Sequence, residues 1–244
     1  MSRFILLIYG CTAYLFFLAT FLYAIGFVGD IPGLKTIDSG ATSELWSAIP
    51  IDVLLLGLFA VQHSVMARRG FKRWWTKIVP PPAERSTFVL ATSLVLALLI
   101  WQWRPILDPV WVVTDAWAVI ALEAVFWTGW ALLLVSTFLI NHFELFGLRQ
   151  VFARLLDRPV PETTFKTPGV YRYARHPIYL GFLLGFWATP TMSAGHLLFS
   201  IMTTGYILVG IFFEERDLIE QFGDRYRRYR AEVGMLMPRL ITRR

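Results

Sequence analysis

The sequence predicts an all-α, polytopic membrane protein with about five to six transmembrane helices. Of its 244 residues, 56% are hydrophobic and 16% are aromatic, which is far more apolar than a soluble domain. The apolar residues form runs long enough to cross a bilayer as helices, which satisfy their own backbone hydrogen bonds in lipid. Basic residues gather beside these runs, so the net charge of +6 indicates contact with anionic lipid headgroups and not with nucleic acid.

Four transmembrane spans are predicted in the N-terminal part of the chain. They cover residues 4–28, 45–66, 86–101 and 116–140. The loop after the second span is basic and carries Trp74 and Trp75, which are suited to the headgroup region. We therefore predict an N-terminal four-span bundle over residues 1–140.

The C-terminal part, residues 141–244, begins with the longest polar segment of the chain, 141–175. Two apolar stretches follow at 178–189 and 196–213, separated by Pro190. The first stretch is short for a span, so we interpret the pair as a tight helical hairpin. A charged tail, residues 214–244, follows this hairpin.

The most informative motif stands at the start of the hairpin. Pro177 suits the first position of a helix, so His176 is the predicted N-cap and Tyr179 lies about one turn inside. Gly181 has no Cβ and would let another backbone or a ligand come close. Together with Arg175, this helix start would attract an anionic group through its N–H donors. The alternative is an ordinary basic and aromatic belt at the membrane interface.

A second cluster, Glu214 and Glu215, follows the last apolar stretch. Carboxylates at the C-terminal end of a helix oppose its dipole, so a nearby cation is expected to offset them. The hairpin would return them to the membrane face that carries Arg175. Tyr226 and Tyr229 follow in an amphipathic, basic segment. The alternative is that the carboxylates only end the helix at the interface.

Together these pieces resemble the isoprenylcysteine carboxyl methyltransferase superfamily. The resemblance rests on Arg175-His176-Pro177-x-Tyr179-x-Gly181, the hairpin, Glu214-Glu215 and the two later tyrosines. In that superfamily this C-terminal unit binds S-adenosylmethionine at the cytosolic membrane face. The resemblance therefore implies that the polar segment, the hairpin and the tail of residues 141–244 form the cofactor site. Gln62-His63-Ser64 and Asn141-His142-Phe143-Glu144-Leu145-Phe146-Gly147 resemble a narrower group, the bacterial methanethiol S-methyltransferases, which are related to NnrU-like membrane proteins.

The resemblance implies S-adenosylmethionine as the cofactor and a small thiol as the substrate, with dimethyl sulfide as the product. Arg175 would bind the cofactor's carboxylate, and Glu214 or Glu215 its ammonium group or ribose hydroxyls. No metal is expected, because the four histidines lack the spacing of zinc ligands. The predicted cofactor-binding residues are Tyr171, Tyr173, Arg175, His176, Pro177, Tyr179, Gly181, Glu214, Glu215, Tyr226 and Tyr229.

The thiol must lose its proton, because the thiolate is the nucleophile and a cysteine-like thiol has a pKa of about 8.5. His63 and His142 are candidate bases, since both lie at predicted cytoplasmic ends of spans. Glu144 could orient His142 or act itself. These residues could also be ordinary interface residues, and a nearby sulfonium could lower the thiol pKa enough to make a base unnecessary.

Three classes of function stay open on the sequence. The first is a methyltransferase, acting on a small thiol or, as in isoprenylcysteine methylation, on a carboxylate. The second is a membrane reductase, because sterol reductases carry a similar Arg-His-x-x-Tyr helix start and bind a nicotinamide cofactor there. The third is a non-catalytic, NnrU-like accessory protein. Pro177 and the paired Glu214-Glu215 favour the methyltransferases.

The distribution of Lys and Arg predicts the orientation in the bacterial inner membrane. The segments 68–85 and 149–175 and the tail are basic, whereas 30–43, 104–115 and 190–195 are poor in cations. The positive-inside rule therefore places both termini and the active site in the cytoplasm. Single cysteines introduced at Ser2 and Arg244 should resist an impermeant thiol reagent added from the periplasmic side. Periplasmic labelling of either position would contradict this orientation.

Overall fold

The computed structural model describes residues 2–159 and 164–239. The described helices, in chain order, are α1 (Arg3–Val28), α2 (Leu45–Ala67), α3 (Arg69–Trp75), α4 (Pro81–Gln102), α5 (Ala116–Ile140), α6 (His142–Leu145), α7 (Leu148–Leu155), α8 (Pro177–Trp187), α9 (Ala194–Phe222) and α10 (Asp224–Glu232). A 3₁₀ turn, Gly169–Arg172, precedes α8. Two short strands, β1 (Pro109–Val112) and β2 (Thr191–Ser193), pair in a two-stranded sheet.

The predicted all-α, polytopic architecture is confirmed. Within the described residues, five helices are long and apolar enough to cross a membrane, and α8 is a shorter apolar helix. Large apolar side chains point outward along these helices; Trp117, for example, is 80% exposed. So much outward apolar surface requires a surrounding bilayer, because in water it would drive aggregation.

The predicted helical hairpin is also confirmed. Ser200 of α9 donates a hydrogen bond to the carbonyl of Phe186 in α8 at 2.8 Å. The indole of Trp187 donates to the hydroxyl of Thr204 at 2.9 Å. The sequence did not predict the two strands or the short helices α3, α6 and α7, because pieces of this length carry little periodic signal.

The described residues divide into two compact units. The first comprises 2–110, 141–159 and 192–197, and the second comprises 111–140, 164–191 and 198–239. The predicted boundary after Ile140 does not coincide with this division. The packing of three helix pairs accounts for the difference: α7 packs against α1 and against α4, and α5 packs against α8.

In the first unit, polar contacts fasten the loop after α1 to the end of α4. The ammonium group of Lys35 donates to the carbonyls of Trp101 and Trp103, so it caps the C-terminal end of the helix. The indole of Trp103, which is buried, donates to the carbonyl of Ile37 at 3.1 Å. The buried carboxylate of Asp52 accepts a hydrogen bond from the backbone N–H of Arg104 at 2.9 Å.

In the second unit, two glycines allow α5 and α8 to pack backbone against backbone. A Cβ added at Gly181 would lie 2.6 Å from the carbonyl oxygen of Gly129, and one added at Gly129 would lie 2.7 Å from that of Gly181. Close approach through small residues is the usual way that membrane helices gain packing contacts. The close neighbour of Gly181 is therefore the backbone of α5.

We expect Gly181→Ala to lower the free energy of unfolding by about 1–3 kcal/mol, because the added methyl group forces two backbones apart. Gly205→Ala is the matched control, since a Cβ at that helical glycine meets no atom within 4 Å. Thermal unfolding of the purified protein in detergent would measure both. Equal midpoints for Gly181→Ala and the wild type would show that this close contact is not required.

Candidate active site

A buried carboxylate, Glu215, joins three segments of the second unit. The guanidinium of Arg175 binds its Oε1 through Nη2 at 2.7 Å and through Nε at 2.8 Å. The imidazole Nε2 of His176 lies 3.2 Å from the same oxygen, and Nε of Arg230 lies 3.1 Å from Oε2. The side chain of Glu215 is only 9% exposed. The nearby cation that the sequence predicted is thus Arg175, and Arg230 is a second one that was not anticipated. The predicted helix end at these carboxylates is wrong, because α9 continues to Phe222.

Arg175 also holds the segment after α10. Its Nη1 donates to the carbonyl of Arg230 at 3.2 Å and to the carbonyl of Val233. The backbone N–H of Arg175 donates to Gly234 at 2.9 Å, and that of His176 donates to Met235 at 3.0 Å. The guanidinium predicted to bind a cofactor's carboxylate therefore directs most of its donors to the chain itself.

The start of α8 agrees with the predicted helix start. His176 is the N-cap residue and Pro177 occupies the first turn, where the missing N–H costs no hydrogen bond. The Nδ1 atom of His176 lies 3.7 Å from a carboxylate oxygen of Glu214, and the hydroxyl of Tyr179 lies near the same carboxylate. Glu214 remains 44% exposed, unlike its neighbour Glu215. Glu214 is thus a carboxylate that an outside ligand can reach.

The predicted tyrosines occupy different environments. Burial raises the pKa of Tyr229 to about 12 and the pKa values of Tyr171 and Tyr226 still further above their usual range, so these hydroxyls keep their protons near neutral pH. Tyr229 donates to the carbonyl of Tyr171 at 2.5 Å. Tyr173, in contrast, is exposed, and the structure shows no contact between it and the Glu215 network among the described residues.

A cavity of about 330 Å³ opens beside Tyr229. The rings of Phe165 and Tyr229 pack edge to face with centroids 5.4 Å apart, and the guanidinium of Arg225 lies 5.3 Å from the Phe165 ring centroid. The cavity is lined by Phe165, Lys166, Thr167, Arg225, Arg228, Tyr229 and Glu232. Phe165 was not predicted, because a single phenylalanine in a polar segment carries no pattern.

His142, a predicted base, lies buried in the first unit. Its Nε2 atom is 2.9 Å from the hydroxyl of Tyr14 in α1. The ring packs against Phe143 and Phe146, with centroid distances of 5.4 Å and 4.8 Å. Burial lowers the pKa of His142, so the imidazole is neutral near pH 7. The sequence did not indicate a role for Tyr14, because an aromatic residue inside a span usually faces lipid or the protein core.

The other two predicted catalytic residues also belong to the first unit. The carboxylate of Glu144 accepts hydrogen bonds from Asn141 at 2.6 Å and from Arg149 at 2.5 Å. His63 lies within α2, where its ring stacks on Phe59 with centroids 5.7 Å apart and tilts against Phe88 at 5.1 Å.

The Glu215 network should contribute strongly to stability. Glu215→Ala is expected to lower the free energy of unfolding by about 3–5 kcal/mol, because it leaves buried cationic groups without their counterion. Glu214→Ala is the matched control and should cost less than about 1 kcal/mol, since that carboxylate is exposed. Unfolding without ligand would measure both. Equal small effects would show that Glu215 is not a structural counterion.

Comparison with known proteins identifies the relatives of this chain. The family model described as phospholipid methyltransferase matches residues 124–225. A methanethiol S-methyltransferase of Mycobacterium tuberculosis is 56% identical over 238 residues, covering 98% of both chains. Another, from Crocosphaera subtropica, is 50% identical over 98% of this chain and 93% of its own.

A more distant relative, Nurim of Xenopus laevis, is 31% identical over 75% of this chain and 66% of its own length. No solved structure matches the chain. The family model spans the whole of α8 and α9, and it includes the residues that form the contacts between Arg175, His176 and Glu215. Because the first relatives match almost the whole length at half or more of the positions, the chain belongs to the methanethiol S-methyltransferase family.

Proposed function

We propose that this membrane enzyme transfers a methyl group from S-adenosylmethionine to methanethiol and releases dimethyl sulfide on the cytoplasmic side of the bacterial inner membrane. The identity of 56% to a methanethiol S-methyltransferase supports the substrate. The observation that carries the cofactor assignment is the exposed carboxylate of Glu214 beside His176 and Tyr179, at the start of an apolar helix.

The charges in this site suit the cofactor. When bound, S-adenosylmethionine supplies an electrophilic methyl group on a sulfonium, and its amino-acid end carries one ammonium and one carboxylate. Glu215 already accepts from three donors, so we assign the ammonium group to Glu214, which has an exposed carboxylate. The ring of Tyr179 offers an aromatic face suited to a cation.

We assign Arg175 a positioning role. Its donors hold Glu215 and the carbonyls of Arg230 and Val233, so it fixes the tail against the start of α8. The half-exposed guanidinium of Arg230 and the N–H groups in the first turn of α8 are the donors that we propose for the cofactor's carboxylate.

The cavity beside Tyr229 suits the adenosyl portion. Its volume of about 330 Å³ accommodates a nucleoside, and Phe165 and Tyr229 offer aromatic surface for stacking a base. Thr167 and Glu232 also line it and provide a hydroxyl and a carboxylate for ribose hydroxyls. Tyr229 lines this cavity and also contacts the backbone of Tyr171, so one side chain supports both parts of the proposed cofactor site.

For the thiol, we propose His142 as the proton acceptor. A neutral imidazole has the protonation state that a base needs near pH 7. We propose that Glu144 supports the fold of α6 through Asn141 and Arg149. His63 is retained as the second candidate base.

A membrane location suits this reaction. Methanethiol and dimethyl sulfide are small, weakly polar molecules that partition into a bilayer, while the charged cofactor approaches from water. The exposed apolar surfaces of the spanning helices give the substrate access through lipid.

The decisive assay incubates purified protein with S-adenosylmethionine and methanethiol and measures volatile dimethyl sulfide. A farnesylated cysteine peptide tests the carboxyl methyltransferase alternative, and a nicotinamide cofactor tests the reductase alternative by thermal shift. A ligand at 100 times its Kd should stabilise the protein by about 2.7 kcal/mol. Absence of dimethyl sulfide with the folded wild type would overturn the proposed function.

Glu214→Gln should weaken binding of S-adenosylmethionine about ten- to a hundredfold, because it removes a charge-assisted interaction of about 1.5–3 kcal/mol. Asp224→Asn is the matched control, as that carboxylate is exposed and pairs only with Arg227 among the described residues. Calorimetry on the folded variants would measure both affinities. If Glu214→Gln bound S-adenosylmethionine with unchanged affinity, this carboxylate would not be part of the cofactor site.

A further inference from the structure

Tyr14 and His142 form a hydrogen-bonded pair inside an aromatic cluster of the first unit. The phenol oxygen lies 2.9 Å from Nε2, and the two rings meet edge to face with centroids 5.8 Å apart. Phe17 stacks on Phe146 at 4.0 Å, and Phe143 and Phe146 lie within 6.4 Å of the Tyr14 ring. The pair therefore places a polar hydrogen bond among several aromatic rings.

The surrounding backbone holds His142 firmly in this position. The guanidinium of Arg85 donates to the carbonyl of Leu145 at 2.7 Å, across from α4. Gly147 adopts a left-handed conformation with φ of +88° and lies so close to α4 that a Cβ would be 2.7 Å from the hydroxyl of Ser86. These contacts hold the segment that carries the imidazole against α4, and α4 packs against α1, which carries Tyr14.

We propose that Tyr14 is a catalytic residue that relays the thiol proton to His142, and that the aromatic cluster of Tyr14, Phe17, Phe143 and Phe146 is the binding site for a small alkyl thiol. This proposal rests on the proposed function. Sulfur makes favourable contacts with aromatic rings, and an alkyl group as small as methyl leaves water when it packs against them. Phe143 is half exposed, which gives an apolar substrate a way to reach the cluster.

The proton transfer balances within the pair. The S–H bond of the thiol breaks and its proton binds the Tyr14 oxygen, while the phenolic proton moves to Nε2 of His142. The thiol sulfur keeps the electron pair and forms the new bond to the methyl group, whose bond to the donor sulfonium breaks. The imidazolium then returns its proton to water.

The relay explains how a phenol, a group that keeps its proton near neutral pH in water, can serve here. At no point does Tyr14 carry a full negative charge, because it donates one proton as it accepts another. The charge instead resides on His142, which is neutral before the reaction. Charged groups on these elements include Glu84 and Arg85 of α4, Glu144 of α6, and Arg149 and Arg154 of α7. Glu144 and Arg149 pair with each other.

The test uses Tyr14→Phe, which removes only the hydroxyl. Turnover at pH 7 with saturating methanethiol should fall by about 10²-fold or more. The deficit should shrink toward pH 10, because solvent then supplies thiolate directly. Methaneselenol, which is already ionised at neutral pH, should be methylated by the variant at nearly the wild-type rate.

Tyr9→Phe is the matched control. Tyr9 lies on the same helix as Tyr14, and its hydroxyl donates to Thr87 at 2.8 Å. The variant therefore loses the same atom and one hydrogen bond, but at a site that does not involve His142. Its turnover should equal that of the wild type. Affinity for S-adenosylmethionine, measured by calorimetry, should be unchanged in both variants. A carbon NMR titration of the His142 imidazole should shift in Tyr14→Phe and not in Tyr9→Phe.

The outcomes separate the two proposals. A wild type that makes no dimethyl sulfide overturns the proposed function itself. An active wild type with a fully active Tyr14→Phe variant overturns the relay alone. Equal losses with methanethiol and methaneselenol at every pH would show that Tyr14 only supports the fold, and would also overturn the relay.

Discussion

The ion pairs around Glu215 set the geometry of the second unit. A buried carboxylate is costly unless several donors compensate it, and here Arg175, His176 and Arg230 do so from segments far apart in the chain. Because each donor also occupies a defined backbone position, the carboxylate fixes the start of α8 and the segment after α10 together. The neighbouring Glu214 can therefore stay exposed in a defined place, which is what a ligand site requires.

Helix packing in the second unit depends on the absence of side chains. Gly129 and Gly181 bring α5 and α8 into backbone contact, and Trp130 packs against Gly185 one turn further along. In lipid, apolar surface gives little driving force for association, so such contacts must come from close fit. Gly181, the glycine of the sequence motif, therefore allows the helix packing that supports the site, and it also lies near the site.

The proposed chemistry uses two kinds of environment. A cofactor with three charged groups calls for paired carboxylates, guanidinium groups and phenols, and the second unit supplies them. A thiol with one methyl group calls for aromatic surface and a single proton acceptor, and the first unit supplies Tyr14, His142 and the rings beside them. A membrane enzyme can supply both because bilayer-embedded helices keep aromatic surface dry while their ends remain polar.

Composition and periodicity alone determined the helical membrane architecture, because a span of about 20 apolar residues has no other stable form in lipid. The motif from Arg175 to Gly181 also identified the helix start, since Pro177 and His176 obey local rules of backbone geometry. Only the tertiary structure could decide which side chains contact one another. In the folded chain Arg175 pairs with Glu215 and contacts the tail, Glu214 stays exposed, and Tyr14 hydrogen-bonds His142. These pairings join residues 40 or more positions apart, and a contact between distant residues leaves no periodic trace in one sequence.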